Sequence, residues 1–158
     1  MGQYPHNYLV DIRRKLGTIE GYHSRPNIIR MPRRSKAQEL LDFEIVFYEK
    51  LLRAYPQFVD ALIPLAEAYT RRGLYEKGLQ IDLQLLQLRG DDPLTWYNVS
   101  CSYSLLGRVE DALEALQRAV QRGYSDFAFL SKDPDLANLR RSPKFRQFLE
   151  SLTSRHAT

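Results

Sequence analysis

The 158-residue chain has one cysteine, Cys101, so no disulfide can form within it. No apolar run approaches the roughly 20 residues that a membrane-spanning helix needs. The opening residues, MGQYPHNYLV, carry no apolar stretch of the kind a secretory signal uses. Gly-rich phosphate loops are missing, and so is the G-x-S-x-G turn that presents a nucleophilic serine. His6, His23 and His156 have no cysteine or second histidine at ligand spacing, which speaks against a metal site. These absences offer no cofactor, no metal and no catalytic constellation, and they predict a cytoplasmic protein that is not an enzyme.

Hydrophobic residues make up 44% of the chain, enough to build a core. The charge is unevenly spread. Residues 1–36 hold eight Lys/Arg against Asp11 and Glu20, a balance of +6, while the other 122 residues carry −2. A basic leader, 1–34, thus precedes a near-neutral body, 35–152, and a short tail, 153–158.

The body repeats itself. Residues 59–92 align with 93–126 at an offset of 34 without gaps. Leu62 falls on Trp96, Leu65 on Val99, Ala66 on Ser100, Tyr69 on Tyr103, Gly73 on Gly107 and Gly78 on Ala112. Within each unit the apolar positions recur at three- and four-residue steps, so each half reads as an amphipathic helix. Gly73 and Gly107 can take the left-handed conformation that ends a helix. The small residues let two helices approach closely, and Trp96, Tyr69 and Tyr103 fill the space between them. One such hairpin cannot bury its apolar face alone, so stacking is expected.

The pattern extends both ways. Residues 40–55 read as the second helix of an earlier unit, with Ser35 and Gln38 spaced as a capping box. The preceding RPNIIRMPRR has two prolines and cannot supply the partner helix. Asp133-Pro134 and Ser142-Pro143 are cap-then-proline helix starts. Phe127, Leu130, Leu136, Leu139, Phe145 and Phe148 are placed to cover the last hairpin as a lid over 127–152.

A 34-residue helix–turn–helix built on Trp96, Val99, Ser100, Tyr103, Gly107, Ala112 and Ala119 resembles the tetratricopeptide repeat. The stretch from Asp133 to Phe145, D-P-D-L-x-x-L-R-x-x-P-x-F, resembles the C-terminal caps of bacterial members of that family. Two departures stand out. Gly90 and Tyr124 replace the usual closing proline, and Asp82 stands where a large apolar residue is preferred, which is expected to weaken packing in the first unit. The resemblance implies an all-α superhelix: a helix over 35–55, repeats at 59–92 and 93–126, and capping helices.

It also implies protein–protein interaction, as a scaffold or adaptor with a peptide or protein partner in the concave groove. First helices line that groove in the family, at positions held here by Asp60, Ile63, Pro64, Glu67, Thr70 and Arg71, then Leu94, Tyr97, Asn98, Cys101, Ser104 and Leu105. Ile63, Glu67, Thr70, Arg71, Tyr97, Asn98, Cys101 and Ser104 are the expected partner-binding residues. Tyr97 offers area with few rotors, and Asn98 a two-ended amide. Glu67 would repel a peptide carboxylate, which excludes the C-terminal clamp some members use. Tyr97, Asn98 and Arg71 together favour an acidic or aromatic-rich extended segment, from a partner or from a second copy. Cys101 reads as a small buried hydrophobe.

The leader carries an alternative. Its Arg/Lys residues are interleaved with Tyr4, Tyr8, Tyr22 and His23. That mixture can bind nucleic acid or an anionic surface by phosphate contact and stacking.

Overall fold

From Val59 onward, helix starts recur at 34-residue steps. The computed structural model describes residues 35–155, so expectations about the leader 1–34, about the three histidines and about 156–158 lie outside the described residues. The helices are α1 (Lys36–Ala54), α2 (Val59–Arg71), α3 (Tyr75–Leu88), α4 (Pro93–Leu105), α5 (Val109–Gln121), α6 (Phe127–Leu130), α7 (Ala137–Arg140) and α8 (Pro143–Arg155). A 3-10 turn at Pro134–Leu136 precedes α7, and no strand occurs among the described residues. Helix α8 takes in residues 153–155 of the expected tail.

Local chemistry sets these limits. Ser35 Oγ accepts from Gln38 N at 3.2 Å while Gln38 Oε1 accepts from Ser35 N at 3.0 Å, which closes the capping box. Asp92 accepts from Thr95 N and Thr95 Oγ1 at the start of α4, and Pro93 occupies the first helical position. Gly73 (φ 76°) and Gly107 (φ 73°) end α2 and α4 in the left-handed region. The next amides, Leu74 N and Arg108 N, donate back to Tyr69 O and Tyr103 O at 2.8 and 2.9 Å.

From α1 to α5 each helix packs chiefly on the next, so the core is a row of small clusters, as in a solenoid. Ile45, Leu65, Ala68 and Tyr69 join α1 to α2. Leu79, Val99 and Ala115 join the two hairpins. Ala66, Gly78, Ser100 and Ala112 are all buried, and Ser100 Oγ donates to Ala112 O at 2.7 Å across the second hairpin. A methyl on Gly78 would stand 3.3 Å from Thr70 Oγ1, closer than ordinary van der Waals contact, so Thr70 would have to give way.

The C-terminal lid proves to be a third unit in the same register. Val59, Pro93 and Phe127 begin helices at 34-residue steps, and so do Tyr75, Val109 and Pro143. Asp133-Pro134 breaks the first helix of this unit into α6, the 3-10 turn and α7. The broken pieces still bury Leu130, Leu136 and Leu139, and α8 buries Phe145, against Leu113, Leu116 and Ala119 of α5, while Phe127 and, on α8, Phe148 are half-buried.

Candidate functional site

First helices face one side of the array, and between them runs a concave groove of about 430 Å³. Helix α2 contributes Ile63, Ala66, Glu67 and Thr70, and α4 contributes Tyr97, Asn98, Cys101, Ser102 and Leu105. Asp82 and Leu85 of α3 form part of the lining. Phe129 and the Asp133-Pro134-Asp135 break in the third unit close one end.

Six of the expected residues, Ile63, Glu67, Thr70, Tyr97, Asn98 and Cys101, therefore line one groove. Two do not. Arg71 turns out to α1, where its Nη2 donates to Glu44 at 2.6 Å. Ser104 is fully buried beneath the third unit: its Oγ accepts from Leu139 N at 3.3 Å and its carbonyl from Asn138 Nδ2 at 2.8 Å. It holds the lid instead of facing a ligand.

Tyr97 is also not the open anchor expected of it. It is buried, stacked on Tyr124 with centroids 4.4 Å apart and rings within 4° of parallel. Its hydroxyl donates to Asp133, and burial raises its pKa above the usual phenol value. Cys101 Sγ donates to the same carboxylate at 3.6 Å. Burial first, and the Asp133 charge second, hold this thiol well above its ordinary pKa, so it stays protonated.

The groove's electrostatics come from Glu67, an expected residue, and from three carboxylates that were not expected there. Glu67, Asp82, Asp133 and Asp135 line it, and among the described residues no Lys, Arg or His does. Asp82, expected only to weaken packing, is buried and accepts from Ser102 Oγ at 2.5 Å, which ties α3 to α4. Burial pushes its carboxyl up to about 6, with the Ser102 bond opposing. Asp135 is shifted upward too, by burial and then by Asp133. The sequence did hold a signal for Asp135, which falls 34 residues beyond the groove residue Cys101; Asp133 falls on the core position of Val99, so the register does not mark it.

No helix among the described residues is long and apolar enough to cross a membrane. No protein-family model matches the chain. It is similar to a curated chloroplastic protein of Arabidopsis thaliana, with 35% identity over 99 residues. That match covers 56% of this chain and 29% of the relative, so the chain spans less than a third of the relative's length.

Proposed function

We propose that the chain is a tetratricopeptide-type interaction module, a scaffold or adaptor whose concave groove holds an extended, basic segment of a partner protein. The observation that carries this is the four-carboxylate lining of the groove. With Arg71 engaged by Glu44, an acidic segment finds no cation there and meets like charge. Lys or Arg side chains find acceptors on both walls, and half-buried Asn98 can bond an extended backbone.

Binding, not catalysis, fits the side chains available. The one thiol is held protonated and already shares Asp133 with Tyr97. Nucleic-acid binding through the basic leader is the competing reading, and the groove disfavours it as a route for phosphate, since its carboxylates repel a polyanion. The compartment we propose is a reducing one, cytoplasmic on composition; the relative's name places that protein in the chloroplast, so cell fractionation decides.

The test uses fluorescein-labelled decalysine and decaglutamate peptides on the full chain at low and moderate salt. Decalysine should bind and decaglutamate should not. The pair Glu67→Gln/Asp135→Asn should weaken decalysine at least fivefold, whereas Glu110→Gln/Glu114→Gln on the far side of the array should not. Equal weakening by both pairs would show non-specific charge attraction and rule the groove out as the site.

A further inference from the structure

The four groove carboxylates are not equivalent. Asp133 has both oxygens engaged, Oδ1 by Asp135 N and Oδ2 by Tyr97 and Cys101. Glu67 is exposed and Asp135 half-buried, and among the described residues no hydrogen bond or ion pair reaches either carboxylate. Asp82 lies between these cases. It is 5% exposed, and only its Oδ2 is bonded, by Ser102 Oγ at 2.5 Å. Among the described residues nothing donates to Oδ1, yet no side-chain oxygen sealed from solvent lacks a partner, so this oxygen opens onto the groove that Asp82 lines.

Packing does not call for a carboxylate at this place. At the same register α5 carries Leu116, fully buried, and α1 carries half-buried Tyr48. Gly78, one turn before Asp82 on the same face of α3, lies close under Ala66 and Thr70 of α2. Aspartate therefore puts a charge on the groove floor, between α2 and α4, where the next repeat puts core. A buried carboxylate is costly unless a cation meets it. Among the described residues no Lys, Arg or His lines the groove, which leaves the cation to the ligand.

The single open oxygen decides which cation fits. A guanidinium binds best where both oxygens of a carboxylate accept two of its N–H groups side by side. With Oδ2 held by Ser102, Asp82 cannot offer that pair, and the remaining guanidinium donors would be buried short of acceptors. An ammonium is a compact charge with three donors. Asp82 Oδ1 meets the first, and the hydroxyls of Thr70 and Ser102, also in the lining, are acceptors for the others. The methylene stem of a lysine finds apolar surface on Ile63, Ala66 and Leu85.

We propose that the groove selects lysine over arginine: one lysine of the bound segment reaches the floor, where its ammonium is held by the open oxygen of Asp82, while Glu67 and Asp135 accept either cation nearer the surface. This rests on the groove reading above and adds a residue specificity to it. Fluorescein-labelled decalysine and decaarginine, titrated onto the full chain at pH 8 and moderate salt, test it. The wild type should bind decalysine about fivefold tighter than decaarginine. Asp82→Asn should abolish that preference, chiefly by weakening decalysine, with unchanged helical circular dichroism. Ser102→Ala frees Oδ2 and should narrow the preference by favouring decaarginine. Glu67→Gln/Asp135→Asn should weaken both peptides alike and leave the ratio unchanged. Decaarginine binding as tightly as decalysine overturns the proposal and leaves the groove reading standing. A preference that survives Asp82→Asn overturns the assignment to Asp82, and one indifferent to Ser102→Ala overturns the role of the single open oxygen. Decalysine that does not bind at all overturns the groove reading and this proposal together.

Discussion

Ser102 of α4 donates its hydroxyl to the carboxylate of Asp82 of α3 at 2.5 Å, and this bond joins one repeat to the next beneath the groove floor. It is a buried bond to a group that burial holds at about 6 instead of 3.8. Because the folded-state pKa is the higher one, the folded chain binds more protons than the unfolded chain between those values. Asp82 therefore favours the fold less as pH rises through that window, and its ionised form opposes folding by about 3 kcal/mol at neutral pH, at 1.36 kcal/mol per pKa unit. Asp82→Asn keeps an acceptor for Ser102 and removes the charge. Its urea midpoint should exceed wild type at pH 7.5, and the difference should close below pH 4. A constant difference at both pH values would mean that the site acts through packing.

The same carboxylate should make groove binding depend on pH. Below about pH 6 Asp82 is protonated and offers a basic segment less charge. Decalysine affinity should rise by a few-fold from pH 5 to pH 7.5 in the wild type and by less in Asp82→Asn. Isothermal titration at fixed ionic strength reads this directly, and a steeper rise in the variant would be the wrong sign.

Gly73 and Gly107 should behave alike. Both sit at positive φ, and a methyl at either meets nothing within 4 Å. The cost of Gly→Ala is then the left-handed backbone alone, about 1 kcal/mol at each site. Unequal losses on denaturation would show that one turn carries a contact the other lacks.

Trp96 separates what register can reveal from what it cannot. Its repeat position is that of a large interhelical residue, yet the ring is only half-buried. Its Nε1–H donates to Gly90 O at 2.7 Å and the Arg122 guanidinium lies 4.8 Å from the ring centroid. Arg122 Nε also donates to Gly90 O, so losing the indole leaves that carbonyl a partner. Trp96→Ala should cost about 2 kcal/mol, below the ~3–5 typical of a fully buried Trp, and the chain should remain folded by circular dichroism.

The periodicity located the helices and the two turn glycines because spacing alone sets which faces are apolar. Six of the residues it sets on the first helices line one groove for the same reason. It could not foresee that Arg71 would find Glu44, 27 positions earlier in the chain, or that Ser104 would lie beneath a third unit. Those outcomes depend on which helix ends up beside which. The acidity of the groove was missed for another reason. Asp82 stands at a position whose template is apolar and Asp133 at a helix cap, so the pattern marks neither as a charge in the groove.

The last expectation concerns Asp133, the residue through which the third unit grips the second. One oxygen, Oδ1, accepts from Asp135 N at 2.9 Å and shapes the 3-10 turn. The other, Oδ2, accepts from Tyr97 Oη and from Cys101 Sγ on α4. Its carbonyl accepts from Arg140 Nη1, and the residue is almost wholly buried. Asp133→Ala strands a buried hydroxyl, a thiol and a backbone N–H at once, at about 1–3 kcal/mol for a lost buried partner of this kind. Asp133→Asn keeps an acceptor toward α4 and should cost less. Because the third unit then rests on a few apolar side chains and the two bonds to Ser104, the damage should be local. Amide hydrogen exchange over 127–152 should quicken markedly in the alanine variant, less in the asparagine variant, and hardly at all over α2 and α3. Concentration-dependent light scattering should accompany it, since an opened lid uncovers Leu113, Leu116 and Ala119 of α5. If exchange quickens equally in α2, the array unfolds as one cooperative unit and Asp133 is no local latch.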